Sequence, residues 1–344
     1  MKKNIAIFQP NLNIGGIEKS LINLLNRIDY NKYNIDLYLF SKGKLYSQIP
    51  KEVNVIYVNN KKIYKYLPFS ILKRIIKADK TVKYDVSVDF SGYNNVLSSY
   101  CLNTNSLKKV IWIHNDYKIK KKNEFKFKIL FNLSKGKYKK YDSIVSVSEG
   151  VKSSFKELTG LDSTYIIPNY INTEEIIKKS EEPVEFFPDD EDINLVFLGR
   201  LVYQKGLDLL FPIIKEYQKI NEEFHLYIIG DGPLRNSLIE EVEELDLCNN
   251  VTFLGAKTNP FPYMKKCDYL ILNSRYEGQG MVALEAKCLG LKVIMPKRLE
   301  KYLNIDYIDI DNIKSIKKFK KKITMLEKYN SDIDDNIQEL LGEI

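Results

Sequence analysis

Three short segments of this 344-residue sequence combine residue types that could handle an anionic or sugar ligand. Gly199-Arg200-Leu201 precedes Lys205-Gly206, which sets two cations at the end of an apolar run and the start of the next helical pattern. Held there, they can clamp a pyrophosphate, and the plain alternative is a surface cation pair. Glu277-Gly278-Gln279-Gly280-Met281-Val282-Ala283-Leu284-Glu285 spaces two carboxylates around a helix start. Glu277 falls in a loop, the amides of Met281 and Val282 open the helix, and Glu285 lies further along it. One acid can then hold a sugar hydroxyl, the other a ribose diol, and the amides can take up negative charge. Solvated glutamates are the competing reading. Ile14-Gly15-Gly16-Ile17-Glu18-Lys19-Ser20 could present backbone amides to a ligand or form an ordinary turn. It is neither a full Gly-x-Gly-x-x-Gly fingerprint nor a Walker A loop.

Such loops need strands behind them. Short β-branched runs alternate with helical patterns along the chain, predicting an α/β fold with doubly wound parallel sheets. The expected strands of a first half are 4–8, 35–40, 53–58, 85–89, 110–113, 143–147 and 165–167. Those of a second half are 195–198, 225–229, 251–254, 269–272 and 293–295, with helices at 207–217, 234–245 and 281–289. Gly199, Gly230 and Gly255 stand just past strand ends, where parallel sheets receive ligands and glycine admits close backbone approach. The polar, proline-bearing stretch after Pro168 reads as a linker. The expected layout is therefore a domain over 1–170, a linker over 171–192 and a domain over 193–344, with packing of its C-terminal helix back on the first domain left open. The lysine-rich segment 313–329 is expected to be a helix packed on one of the domains.

Length and composition limit the possible functions. A chain of 40.2 kDa with 44% hydrophobic residues suits two cores and excludes wholesale disorder. Four dispersed cysteines and two histidines make structural zinc or a disulfide framework improbable. No long apolar run or signal-peptide pattern occurs, which predicts an uncleaved cytoplasmic protein. Charge divides sharply, with 30 Lys+Arg against 13 Asp+Glu up to Tyr170, and 23 against 32 beyond it. Within 61–83, Lys73, Arg74 and Lys77 interleave with apolar residues. Within 118–140, Lys120, Lys121, Lys122, Lys126 and Lys128 do the same, with Phe125, Ile129 and Leu133 at helical spacing. An anionic membrane surface, or simply a solvated helix face, would explain both stretches. Nucleic acid is disfavoured, because no binding motif accompanies the lysines and only six basic residues are arginine.

Taken in order, the glycine pair, Gly199-Arg200, Ile229-Gly230-Asp231-Gly232-Pro233-Leu234 and the spaced glutamates make the chain resemble the family 4 glycosyltransferases of the GT-B fold. Ser146-Val147-Ser148 and Ile167-Pro168-Asn169 also match that family. The resemblance implies two Rossmann-like domains facing a central cleft. The first would bind the acceptor and the second a nucleotide sugar, with transfer retaining the anomeric configuration. By the same resemblance, Arg200 and Lys205 bind the donor pyrophosphate in place of a metal ion, so no cofactor is required. Glu285 binds the ribose. Glu277 lies against the donor sugar as nucleophile or electrostatic support, and Gly16 faces the phosphates. His114, in Trp112-Ile113-His114-Asn115-Asp116, resembles the histidine that touches the donor sugar, although a core histidine is the bland reading. Gln279, Lys292 and Lys297 depart from the usual pattern and leave the donor sugar open, while family frequency favours uracil as the base.

The implied activity moves a hexose or N-acetylhexosamine to a lipid-linked or surface-glycan acceptor at the inner membrane face. An inactive nucleotide-sugar or polyanion binder, or a nucleotide-sugar hydrolase or epimerase, would be built on the same architecture. The Asp309-Ile310-Asp311 sequence lies too late in the chain to suit a metal motif.

Overall fold

β1 (Lys3–Phe8) runs through an apolar interior and delivers the chain at its carboxyl end into α1 (Gly16–Leu25). The same strand-then-helix step recurs throughout the computed structural model, which describes residues 2–13 and 15–342. Ile14, which opens the glycine-pair motif, lies outside the described residues.

The first sheet adds β2 (Tyr33–Leu39), β3 (Asn54–Tyr57), β4 (Lys83–Asp89), β5 (Asn105–Ile113), β6 (Ser143–Ser146) and β7 (Tyr165–Ile166). All pairings are parallel, in the order β3-β2-β1-β4-β5-β6-β7. Its covering helices include α2 (Phe69–Ile75), α3 (Asn95–Asn103), α4 (Tyr117–Asn123), α5 (Phe125–Ser134) and α6 (Glu149–Thr159). Caps fix several of them: Asn94 accepts from two amides of α3, Asp116 from Ile119 of α4, and Ser148 from Val151 of α6.

α7 (Thr173–Ser180) opens the second unit, followed by β8 (Ile193–Leu198), α8 (Leu207–Gln218), β9 (Phe224–Ile229), α9 (Arg235–Glu244), β10 (Val251–Gly255) and α10 (Phe261–Lys266). β11 (Tyr269–Ile271), α11 (Met281–Cys288), β12 (Lys292–Met295) and β13 (Ile308–Asp309) complete a six-stranded parallel sheet in the order β10-β9-β8-β11-β12-β13. Its core joins Leu195, Phe197, Phe211, Ile228, Tyr269 and Ile294. Every strand expected from sequence is present, and the short edge strand β13 is additional.

The chain divides into Met1–Tyr170 with Lys328–Ile344, and Ile171–Glu327. The segment expected as a linker over 171–192 is instead part of the second unit. Asn172 caps α7, Ile176 is buried, and the Phe186 ring packs on Tyr227 and Tyr263. The helix expected over 313–329 is also corrected. A short 3₁₀ turn ends at Ser315, and residues 316–326 carry no regular structure. The segment is held instead by side-chain bonds: the Tyr269 hydroxyl donates to the Lys317 carbonyl, and the segment's own Lys321 ammonium donates to the carbonyls of Lys265 and Cys267. Asp309 caps that 3₁₀ turn by accepting from the Asp311 amide, a structural use of the late acidic pair.

α12 (Glu327–Leu341) follows and belongs to the first unit, the placement that the sequence left open for the C-terminal helix, so the second unit ends at Glu327 and not at residue 344. Ile333, Ile337, Leu340 and Leu341 recur at helical spacing and are buried. Charge complementarity reinforces the fit. Arg27 grips Asp334, Tyr170 donates to the same carboxylate at 2.7 Å, and Lys3 and Lys108 donate to the carbonyls of Leu341 and Leu340 at the negative end of the helix. No helix among the described residues is long and apolar enough to cross a membrane.

Candidate active site

The second unit gathers its polar side chains at the carboxyl ends of β8, β9 and β11. Gly199 follows β8 directly and hydrogen-bonds from its amide to the Ile229 carbonyl at 3.0 Å. Gly230 follows β9 with φ near +150°, and a Cβ there would lie 1.8 Å from the Gly199 carbonyl oxygen. Only glycine lets these two turns approach so closely. The aliphatic stem of Lys205 passes over Gly199, where a Cβ would come within 3.4 Å of its Cε.

Lys205 reaches Glu277 by this route. Its Nζ donates to Oε1 at 2.7 Å, with the side chains 19% and 8% exposed respectively. The Ser274 hydroxyl donates to the same oxygen at 2.5 Å. Oε1 thus receives two donors, while Oε2 is left to face a ligand. Arg200, beside Gly199, is exposed, and among the described residues it pairs with no carboxylate. An exposed guanidinium and a tethered ammonium on one strand-to-helix loop are groups that could clamp a diphosphate. Gly280 caps α11 at φ +63°, and the amides of Met281 and Val282 begin the helix, where no intrahelical acceptor reaches them. Glu285 lies in the second turn of α11 and is buried.

A set of residues not singled out from sequence holds this loop in place. Arg298 donates to the carbonyl and the side-chain oxygen of Asn273 at 3.0 and 2.9 Å, and to the Ser274 carbonyl at 3.2 Å. Asn273 in turn donates to the Gly206 carbonyl at 3.0 Å. Arg275 forms a bidentate pair with Asp208 at 2.8 and 2.5 Å and lies 3.7 Å over the Tyr203 ring. Gln204 donates to the Tyr276 carbonyl at 3.0 Å. The loop bearing Lys205 and the loop bearing Glu277 are therefore one bonded assembly. The signal available in sequence was the scarcity of arginine, since two of the six arginines, Arg200 and Arg275, fall in these loops and a third, Arg298, follows β12.

Gly16 and His114 belong to the first unit. Gly16 opens α1 with open space around its Cα. His114 follows β5 and is buried against Phe90 and Trp112, with ring centroids 4.5 and 6.1 Å away. Neither nitrogen has a partner of good geometry among the described residues. Burial pushes its pKa down to about 3, opposed by a smaller contribution from the Phe90 backbone, so the imidazole is neutral. Buried Gln9 and Trp112 also each carry a side-chain atom without a partner, Oε1 and Nε1.

Of the basic residues expected to contact an acceptor or membrane, Lys73 and Arg74 lie in α2 with Lys77 just beyond it. Lys120, Lys121 and Lys122 lie in α4, and Lys126 and Lys128 in α5.

Two family models match the chain, one described as Glycosyltransferase Family 4 over residues 14–175 and one as Glycosyl transferases group 1 over 178–305. An uncharacterized glycosyltransferase of Methanocaldococcus jannaschii is 29% identical over 297 residues, covering 80% of this chain and 70% of that protein. Campylobacter jejuni N-acetylgalactosamine-N,N'-diacetylbacillosaminyl-diphospho-undecaprenol 4-alpha-N-acetylgalactosaminyltransferase is 26% identical, covering 85% and 80%. Among solved structures, Anabaena HepE in complex with UDP and glucose superposes with a TM-score of 0.62 at 15% identity, over 99% of this chain and 95% of that one. WaaG, a glycosyltransferase involved in lipopolysaccharide biosynthesis, gives 0.58 at 13% identity, over 91% and 89%. Motif order, paired parallel-sheet units and these likenesses agree: the chain belongs to the family 4 glycosyltransferases and is an enzyme of the GT-B fold.

Proposed function

We propose that the protein transfers a hexose or N-acetylhexosamine from a UDP-sugar, with retention, to a lipid-linked or surface-glycan acceptor at the anionic inner face of the cytoplasmic membrane. The observation that carries this reading is the Lys205–Glu277 contact beside exposed Arg200 at the carboxyl ends of the second sheet. In the reaction the bond between the anomeric carbon and the β-phosphate oxygen breaks, and its electron pair leaves with the diphosphate. Arg200 and Lys205 offset that charge without requiring a metal ion. The acceptor hydroxyl oxygen bonds to the anomeric carbon, and its proton passes to the departing phosphate oxygen.

Glu277 acts here as electrostatic support, because the ammonium and hydroxyl on Oε1 draw charge from the whole carboxylate and so weaken Oε2 as a nucleophile. Oε2 takes a donor-sugar hydroxyl, Glu285 the ribose diol, and the amides of Met281 and Val282 the phosphates. Gly199, Gly230 and Gly280 admit the donor to the backbone. The first 170 residues, with their excess of Lys+Arg, suit an acceptor carrying a lipid pyrophosphate. The named activity of the Campylobacter relative, on a diphospho-undecaprenol-linked glycan, and the UDP in the HepE structure favour these choices.

Nucleoside-diphosphate release from a panel of UDP- and GDP-sugars, with and without a membrane-lipid extract, tests the reading. Lipid-dependent release from one UDP-sugar that Glu285→Gln abolishes supports it. Release that ignores lipid, or no release from any donor, overturns it.

A further inference from the structure

α5 is apolar on two faces, and only one of them is used inside the protein. Phe127 and Phe131 point inward, where they join Tyr117 and Tyr138, and Tyr138 packs edge-on against Phe155. The segment just after α5 is anchored by the fully buried Lys137, whose ammonium donates to Ser98 Oγ at 2.9 Å. Ser98 passes the bond on to Asp89 at 2.6 Å. The outward ridge is Phe125, Ile129 and Leu133, with Leu130 beside it, exposed by 74%, 46%, 53% and 48%. A helix face meant for water would carry its lysines there. In α5 the lysines flank the ridge instead, at Lys126 and Lys128.

α2 packs beside α5 and repeats the pattern, with Ile71 and Ile75 exposed by 44% and 46% around Arg74. The two basic stretches meet here. Lys73 has its pKa lowered by partial burial and by the charges of Lys140 and Lys109. Like charges gathered around uncovered apolar side chains are costly in water and favourable at an interface that offers both hydrocarbon and anions.

We infer that the α5 ridge is a membrane wedge, with Phe125, Ile129 and Leu133 entering the acyl boundary of an anionic leaflet while the flanking lysines of α2, α4 and α5 bind its headgroups. The inference rests on the proposed membrane-face function and adds to it a hydrophobic, salt-resistant component located on one helix. The aromatic cluster beneath makes α5 a rigid support, so insertion requires no local folding.

Co-sedimentation with phosphatidylcholine vesicles, with and without phosphatidylglycerol, provides the test. Wild type is expected to bind the anionic vesicles and to retain part of that binding in high salt. Phe125→Ser/Ile129→Ser/Leu133→Ser is expected to lower binding at least about tenfold at both salt levels. Phe125→Leu should keep it, and Lys126→Gln/Lys128→Gln should lose mainly the low-salt part. Unchanged thermal unfolding and UDP binding show that each variant is folded. Equal vesicle binding by wild type and the triple variant overturns the wedge, as does a wild type that binds no vesicles. Donor turnover without vesicle binding sinks the wedge alone, and vesicle binding without turnover sinks the proposed reaction alone.

Discussion

The Lys205 ammonium sits 2.7 Å from Oε1 of Glu277 across 72 positions of sequence, and the Ser274 hydroxyl shares that oxygen. One carboxylate oxygen is thus committed to holding two loops together, and the other is left for chemistry. Glu277→Gln keeps the shape and removes the charge. Its kcat is expected to fall about 10²–10³-fold while the UDP dissociation constant stays nearly constant. Steady-state release assays paired with calorimetry check this, and a loss of UDP binding that matches the loss of rate would refute the assigned role.

The same contact has a stability consequence. Lys205→Met leaves the Glu277 carboxylate buried beside a lone hydroxyl donor and should cost about 1–3 kcal/mol in urea unfolding. Adding Glu277→Gln to Lys205→Met should recover most of that loss, because the unpaired charge is gone. Additive losses in this double-mutant cycle would show that the pair is not coupled.

Arg200 should behave in the opposite way. Being exposed and unpaired among the described residues, it can be changed to Ala with a stability effect within about 0.5 kcal/mol. UDP binding, in contrast, should weaken about 10-fold or more as one charge-assisted contact to the diphosphate is lost. Calorimetry with UDP and with uridine separates the cases, since only the diphosphate should sense the change.

Arg298 is a positioning residue. Its three donations to Asn273 and Ser274 hold the loop that presents Glu277. Arg298→Lys cannot reproduce that planar grip and should lower kcat about as much as Arg298→Gln, with the donor KM little altered. Full activity in the lysine variant would mean that charge alone matters at this position.

His114 makes a pH prediction with a definite sign. Its folded pKa, about 3, lies below its ordinary 6.5 because burial disfavours the cation. Between those values the unfolded chain binds the extra proton, so the stability present above pH 6.5 is lost as pH falls toward 3. The slope approaches about 1.4 kcal/mol per pH unit. His114→Gln should remove this component, read as the difference between the two proteins' urea midpoints across pH 7 to 4.

Much of this arrangement was legible in the sequence, for physical reasons. Buried parallel strands leave continuous apolar runs, so the strands of both sheets stood out, and the glycines past β8 and β9 marked the turns that meet at Gly199 and Gly230. β13 was not legible because a two-residue edge strand has no periodicity to detect. The segment 316–326 looked helical from its composition, yet its course is set by distant partners, Tyr269 among them, that no local pattern reveals. Arg275, Arg298 and Asn273 escaped for a similar reason: they act by holding backbone, and a residue that holds a loop carries no motif of its own. The lysine stretches were visible, but sequence could not distinguish buried Lys137 from its solvated neighbours.

The placement of α12 affects the order in which the protein can be made. The second unit is one continuous stretch, Ile171–Glu327, whereas the first draws on residues at both ends of the chain. Residues 1–170 leave the ribosome first, but the surface that receives Ile333, Ile337 and Leu340 stays uncovered until α12 is synthesised. The later-made unit can therefore close before the earlier one is complete. During that interval the nascent first unit exposes an apolar, lysine-rimmed seat that only residues beyond 327 will fill.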